Sequence, residues 1–150
     1  MRVVIQRAKD ASVTIEGKVH GQIDHGFVIL VGIEGQDTTA DADWLVQKIN
    51  GLRVFSDKDG KMNNSIQDVK GQFLVISQFT LHASTKKGNR PSYIKAARPE
   101  LAIPLYEYFV EQLKIVSQLK VATGEFGADM KVQLMNDGPV TICMDTKNKE

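Results

Sequence analysis

A proline interrupts the most strand-like stretch of the C-terminal part of the chain, and it limits where that stretch can lie. Lys131-Val132-Gln133-Leu134-Met135 alternates polar and apolar, and so does Val140-Thr141-Ile142-Cys143-Met144. Gly138-Pro139 lies between them. Proline donates no backbone hydrogen bond, so it is confined to edge strands, turns and bulges. One reading is a hairpin turn, because Asn136-Asp137-Gly138 is good turn chemistry. The other is a rigid main-chain device, open to a cis peptide at the proline, that presents carbonyl groups to something.

The 150 residues suit one domain, residues 1–150, with a substantial core. A hydrophobic content of 42% and a charged content of 25% are those of an ordinary globular protein, which sets aside a disordered chain. No apolar run approaches the roughly 18 residues that would suggest a membrane span. The segment Met1-Arg2-Val3-Val4-Ile5-Gln6-Arg7 turns polar too soon for a signal peptide. Cys143 is the only cysteine, so neither an internal disulfide nor a multi-cysteine zinc site is open to the chain. A cytoplasmic protein is expected.

Net charge is only +1, so the molecule as a whole exerts little pull on nucleic acid. The local distribution is more informative. Between Thr85 and Pro99 lie Lys86, Lys87, Arg90, Lys95 and Arg98 without a single acid, and Tyr93 sits among them. Such a segment suits phosphate or RNA contact, with a ring available for stacking. A solvated loop without a partner would look the same.

Arg2 to Arg7 and Ala11 to Ile15 read as short strands, and Lys18 to Ile23 pairs with the latter across Glu16-Gly17. Phe27-Val28-Ile29-Leu30-Val31 is continuously apolar, as in a strand buried on both faces. A helix follows, capped by Thr38 or Thr39, with Ala42, Leu45, Val46, Ile49 and Leu52 at helical spacing. Phe73 to Ser77 is another buried strand. Glu100 to Val116 is a second helix, with Pro104 expected near its first turn. Lys120 to Thr123, Lys131 to Met135 and Val140 to Asp145 complete the strands. This is an α/β domain with mostly antiparallel sheet and two main helices. Regular βαβ alternation and a Gly-rich phosphate fingerprint are both missing, so no nucleotide-cofactor fold is expected.

His20, His25 and His82 share no ligand spacing with each other or with Cys143, and no metal or other cofactor is expected. Ser77-Gln78-Phe79-Thr80-Leu81 directly follows the strand Phe73-Leu74-Val75-Ile76. Hydroxyl and amide side chains at the end of a buried strand often mark a site. Backbone N–H groups released from the ladder there could bind a developing oxyanion. Thr80 could be a nucleophile or only a hydrogen-bond partner. A nucleophile needs a base, and His82, two residues on along a strand, would share its face. In Thr123-Gly124-Glu125-Phe126-Gly127-Ala128-Asp129-Met130, two glycines bracket an aromatic and could let backbone approach a flat ring. A plain turn with Phe126 in the core is the simpler account.

Taken together, these segments resemble the D-aminoacyl-tRNA deacylases, over essentially the whole chain. Ser77-Gln78-Phe79-Thr80 is similar to that family's Ser-Gln-x-Thr motif, and Asn136-Asp137-Gly138-Pro139-Val140-Thr141 to its Gly-Pro motif. Lys87-Gly88-Asn89-Arg90-Pro91-Ser92-Tyr93 and Gly124-Glu125-Phe126-Gly127-Ala128-Asp129-Met130 also look like family segments. The resemblance implies a homodimer that hydrolyses the ester between a D-amino acid and the tRNA 3′ ribose, with glycyl-tRNA hard to exclude. It implies that Gly138 and Pro139, in a cis peptide held by Arg7, enter the partner's site as a main-chain wall against L-amino acids. Phe79 and Thr80 N–H groups would bind the carbonyl, with Ser77 and Gln78 beside them. Phe126, Gly127, Ala128 and Met130 would line an adenosine pocket, and Lys86, Lys87 and Arg90 would meet tRNA phosphates. The family can be read with Thr80 as nucleophile or with the ribose 2′-hydroxyl activating water. A non-catalytic RNA-binding module of the same fold is the alternative.

Overall fold

A computed structural model describes residues 1–150. The chain opens with a long hairpin, β1 (Arg2–Ile15) and β2 (Lys18–Gly32). Glu16 (φ 49°) and Gly17 (φ 76°) both take the left-handed conformation that a two-residue turn between twisted strands requires. Then come α1 (Thr39–Gly51), a small ribbon of β3 (Phe55–Ser56) and β4 (Met62–Asn64), and β5 (Gln72–Ser77). A 3₁₀ turn (Phe79–His82), α2 (Pro99–Ser117), β6 (Val121–Thr123) and β7 (Lys131–Asp145) complete the chain.

One five-stranded sheet runs in the order β6-β5-β2-β1-β7. The two long ladders, β1 with β2 and β1 with β7, are antiparallel. The shorter ones, β2 with β5 and β5 with β6, are parallel. Two βαβ crossovers, through α1 and α2, therefore lie inside a domain whose long ladders are antiparallel. The interposed ribbon and loops hide them from a reading by element spacing.

The apolar run of β2 is explained by its place in the sheet. Phe27, Ile29 and Val31 join one core cluster with Ala42, Leu45, Val46 and Ile49 of α1 and Leu105, Phe109 and Leu113 of α2. Val28 points the other way, into a second cluster with Ala8, Ala11, Val13 and Ile23 and with Leu74 and Ile76 of β5. The distal halves of β1 and β2 must curl over the sheet to reach β5. In keeping with that curl, His20 Nδ1 lies 2.9 Å from the Thr123 carbonyl on β6.

Three expectations about elements need correction. Arg2–Arg7 and Ala11–Ile15 form one strand rather than two. Lys131–Met135 and Val140–Asp145 do not pair with each other across a hairpin. Both lie in β7 and both pair with β1, so the turn reading of Asn136-Asp137-Gly138 fails. Pro104 lies in the second turn of α2, and Pro99 takes the first position. The Pro104 ring replaces a donor to the carbonyl of Glu100, an exposed residue that water can satisfy.

The C-terminal segment is tied to the start of α1. Thr38 caps α1 in a capping box whose Asp41 carboxylate accepts the Thr38 N–H at 2.9 Å. Lys147 Nζ donates to the same carboxylate at 3.0 Å. Burial works against ionising Asp41, but hydrogen bonds from Thr146, Thr38 and Lys147 outweigh it and hold its carboxyl below the usual range. Its stabilisation is thus present above the unfolded-chain value of about 4 and is lost as pH falls through and below it. Asp41→Asn should reduce stability at neutral pH by about 1 to 2 kcal/mol. Urea titrations should show that deficit shrinking toward pH 3, whereas a constant deficit would mean that the carboxylate's charge contributes nothing.

Candidate functional site

The site begins where the β2–β5 ladder ends. Val31 pairs with Ser77, and one further bond, Gln78 N–H to the Val31 carbonyl at 2.7 Å, closes the ladder. Beyond it the chain winds into the 3₁₀ turn. Gly32 makes the seat for this turn. A Cβ there would stand 2.9 Å from Leu81 Cβ and 3.0 Å from the Gln78 carbonyl, so any side chain would lift the turn off the sheet. The first N–H groups of a helical turn have no partner within it. Here the Phe79 and Thr80 N–H groups find no acceptor elsewhere in the chain either.

This geometry corrects the proposed pairing of Thr80 with His82. In a 3₁₀ turn, residues two apart do not share a face. His82 is 1% exposed, and neither of its ring nitrogens has a hydrogen-bond partner. The Thr80 hydroxyl instead accepts a hydrogen bond from Gln78 Nε2 at 2.6 Å. No base hydrogen-bonds to the Thr80 hydroxyl.

Ser77, Gln78 and Phe79 line a cleft of about 290 Å³ together with Phe126, Gly127, Ala128 and Met130. Residues about fifty apart in sequence thus share one cavity, floored by Val31 and Ile76. The Phe126 loop is braced from behind. The Val75 carbonyl accepts from Tyr106 Oη at 2.8 Å and from Gly124 N–H at 3.3 Å. Burial raises the Tyr106 pKa, which keeps the hydroxyl a neutral donor. Met130 packs against Gly124 so closely that a Cβ there would lie 2.3 Å from its sulfur.

The basic segment forms an exposed loop closed by paired backbone bonds between Ser84 and Ser92, at 2.8 and 2.9 Å. Lys86, Lys87 and Arg90 lie on it and are exposed.

Gly138 and Pro139 are elsewhere. They do not line the cleft of their own chain. On β1, Gln6 pairs with Thr141 and Ala8 with Asn136, so Asp137–Val140 bulge outward opposite Arg7 alone. The Gly138-Pro139 peptide is cis, and Gly138 has φ +132°, a region side chains disfavour. Arg7 is the floor of the bulge. Its Nε donates to the Asp137 carbonyl at 2.9 Å, its Nη1 donates to the Val54 carbonyl, and the guanidinium lies over the Phe55 ring. Sequence reasoning missed Gln6. Its Nε2 donates to the Val140 carbonyl at 3.0 Å and to Asn136 Oδ1, and its Oε1 accepts from Thr141 Oγ1. It thereby fastens both legs of the bulge, but only the β1–β7 pairing could have revealed this.

Comparison with known proteins shows the family of the chain. A family model described as D-Tyr-tRNA(Tyr) deacylase matches residues 4–145. A D-aminoacyl-tRNA deacylase of Phocaeicola vulgatus is 69% identical over 150 residues, covering 100% of both chains. One from Flavobacterium johnsoniae is 61% identical with the same full coverage. Among solved structures, a c-Myc DNA unwinding element binding protein superposes with a TM-score of 0.91 at 40% identity, covering 97% of this chain and 98% of that one. A probable eukaryotic D-amino acid tRNA deacylase superposes with a TM-score of 0.83 at 14% identity, covering 95% and 97%, which speaks for the fold alone. With the family model spanning nearly the whole chain and full-length relatives above 60% identity, the chain is an enzyme of the D-Tyr-tRNA(Tyr) deacylase family.

Proposed function

We propose that this enzyme hydrolyses the ester joining a D-amino acid to the 3′ ribose of tRNA, and that it works as a homodimer in the cytoplasm. The observation that carries the reading is the pair of unpartnered N–H groups at Phe79 and Thr80, the first of them on a residue that lines a cleft suited to a flat ring. In this reading the adenosine rests against Phe126, Gly127, Ala128 and Met130. The ester carbonyl oxygen accepts from Phe79 and Thr80 N–H, and the same donors hold the negative charge when water adds to the carbonyl carbon. The bond from that carbon to the ribose 3′ oxygen then breaks, and the oxygen takes up a proton. The products are the free amino acid and tRNA.

The proton relay falls to the ribose 2′-hydroxyl rather than to Thr80. Thr80 has no base, and its hydroxyl already accepts from Gln78. Thr80 then serves as a hydrogen-bond partner that keeps Gln78 oriented.

Chirality is read by exclusion. Gly138 and Pro139 lie outside the cleft of their own chain, and in this reading a second copy delivers them. A wall of main-chain atoms leaves room for an α-hydrogen but not for a side chain on that face. Unlike a side chain, it cannot rotate away, and Gln6 and Arg7 hold it in place. Glycine carries no side chain on either face and is only weakly rejected. Lys86, Lys87 and Arg90 would meet backbone phosphates of the acceptor arm.

With D-tyrosyl-, L-tyrosyl- and glycyl-tRNA assayed side by side, the D form should be released fastest, glycine next, and the L form at background. Release from neither tyrosyl form would sink the chiral-proofreading reading, and equal release from both would remove the wall. Specific activity should fall on dilution as dimers separate, and an active monomer would contradict the shared site.

Thr80→Ala should cost about tenfold or less, the worth of a hydrogen bond, whereas a 2′-deoxy terminal ribose should cost about a hundredfold or more. Background activity in Thr80→Ala with full activity on the deoxy substrate would instead make Thr80 the nucleophile.

Gly124→Ala should force the Met130 thioether into the cleft and raise KM by roughly tenfold, the scale of an overpacked core site, with kcat little changed. An unchanged KM would mean that Met130 is not part of the adenosine pocket.

A further inference from the structure

The two aromatic rings at the mouth of the cleft are exposed beyond what the fold requires. Phe79 is 55% exposed and Tyr93 is 39% exposed. Their rings meet edge to face, with centroids 5.1 Å apart and planes at 73°. Phe79 lines the cleft, so Tyr93 stands one ring outside it. Tyr93 does not sit on a loose tether. Ser92 pairs with Ser84, the Ala96 N–H donates to the Tyr93 carbonyl at 3.0 Å, and the Ala97 N–H donates to the Ile33 carbonyl at 2.9 Å. The ring is therefore presented from a segment anchored on both sides.

The charge around it is of one sign. Lys86, Lys87, Arg90, Lys95 and Arg98 are all exposed, and none of them forms an ion pair. Exposed aromatics among unpaired cations suit a single-stranded polynucleotide, whose bases stack on rings while its phosphates meet the charges. A protein partner of ordinary composition would leave such a cluster unmatched.

We propose that Tyr93, edged by Phe79, is the stacking platform for the nucleoside that precedes the terminal adenosine of the RNA substrate. The inference rests on the deacylase reading, which places the adenosine inside the cleft. The strand must leave the cleft over its rim, and the Phe79–Tyr93 pair forms an aromatic part of that rim. The enzyme would then grip two successive bases, one within the cleft and one on its lip. Lys86, Lys87 and Arg90 would hold the backbone beyond them.

Competition against D-tyrosyl-tRNA deacylation tests this, with adenosine, the dinucleotide cytidylyl-(3′→5′)-adenosine, and the same dinucleotide lacking its 5′ base as the probes. The intact dinucleotide should inhibit about tenfold better than adenosine, the scale of one base–aromatic stack. The abasic dinucleotide should lose most of that gain. Tyr93→Leu keeps an apolar side chain against Phe79 but offers no ring. It should bring the dinucleotide close to adenosine, raise KM for the tRNA and leave kcat unchanged, while Tyr93→Trp should behave like the parent. A dinucleotide no better than adenosine would overturn the proposal. So would an abasic probe as good as the intact one, because phosphate alone would then explain the gain. A fall in kcat for Tyr93→Leu would reduce Tyr93 to a prop for Phe79. Failure to deacylate D-tyrosyl-tRNA at all would instead strike the deacylase reading.

Discussion

A single hydrogen bond, from Gln78 N–H to the Val31 carbonyl, decides where the sheet stops and the site starts. Up to that rung, β5 spends its backbone donors and acceptors on its neighbours. One residue later the chain has left the ladder, and Phe79 and Thr80 hold N–H groups with nothing in the chain to receive them. Unpaired donors are tolerable only where water or a ligand can reach them. The cleft that Phe79 lines meets that condition for the first of them. The rung also fixes the height of the 3₁₀ turn over Gly32, and with it the position of Phe79 at the cleft mouth. Loss of that seat would move the donors and the rim together.

The opposite edge of the sheet obeys the same logic. β7 is a long edge strand, and a proline can sit there because no further strand needs its N–H. Exposed edges invite unwanted pairing, and a bulge is one way to break the edge. The bulge at Asp137–Val140 does so and also turns main-chain atoms outward. Such an excursion would be floppy without support. Gln6 and Arg7, adjacent on β1, supply it from both faces of that strand, one to the legs of the bulge and the other to its base.

Much of this was legible because local pattern and global position agreed. The Glu16-Gly17 turn, the Thr38 cap and the Phe27–Val31 run each have a local cause that the tertiary structure then uses. Readings failed where the partner of a segment was at issue. Lys131–Met135 and Val140–Asp145 look like two strands of a hairpin, yet each finds β1 instead, a choice made by contacts more than a hundred residues away. The parallel crossovers escaped for the same reason, since spacing does not say which strand a returning segment will meet. A shared face for Thr80 and His82 requires the strand to continue past Ser77. The ladder ends at Gln78, and beyond it the alternation of faces no longer holds.

The candidate site was harder to read than the core because its working atoms are mostly main chain. Every residue but proline has an N–H, and every residue has a C=O. A side-chain motif can therefore point to such a site without naming its active groups. What the sequence does record is the requirement for space and shape around the backbone: no side chain at Gly32 beneath the turn, none at Gly124 beneath Met130, and none at Gly138 above Arg7. These absences are weak signals singly, since glycine also marks ordinary turns. They become informative when the fold brings each one against a neighbour that a Cβ would displace. A site built this way tolerates changes in the side chains that carry its working N–H and carbonyl groups better than changes in the small residues beneath them. By this physics the seat at Gly32, which contacts no substrate in the proposed reading, constrains the chain as tightly as Thr80 does.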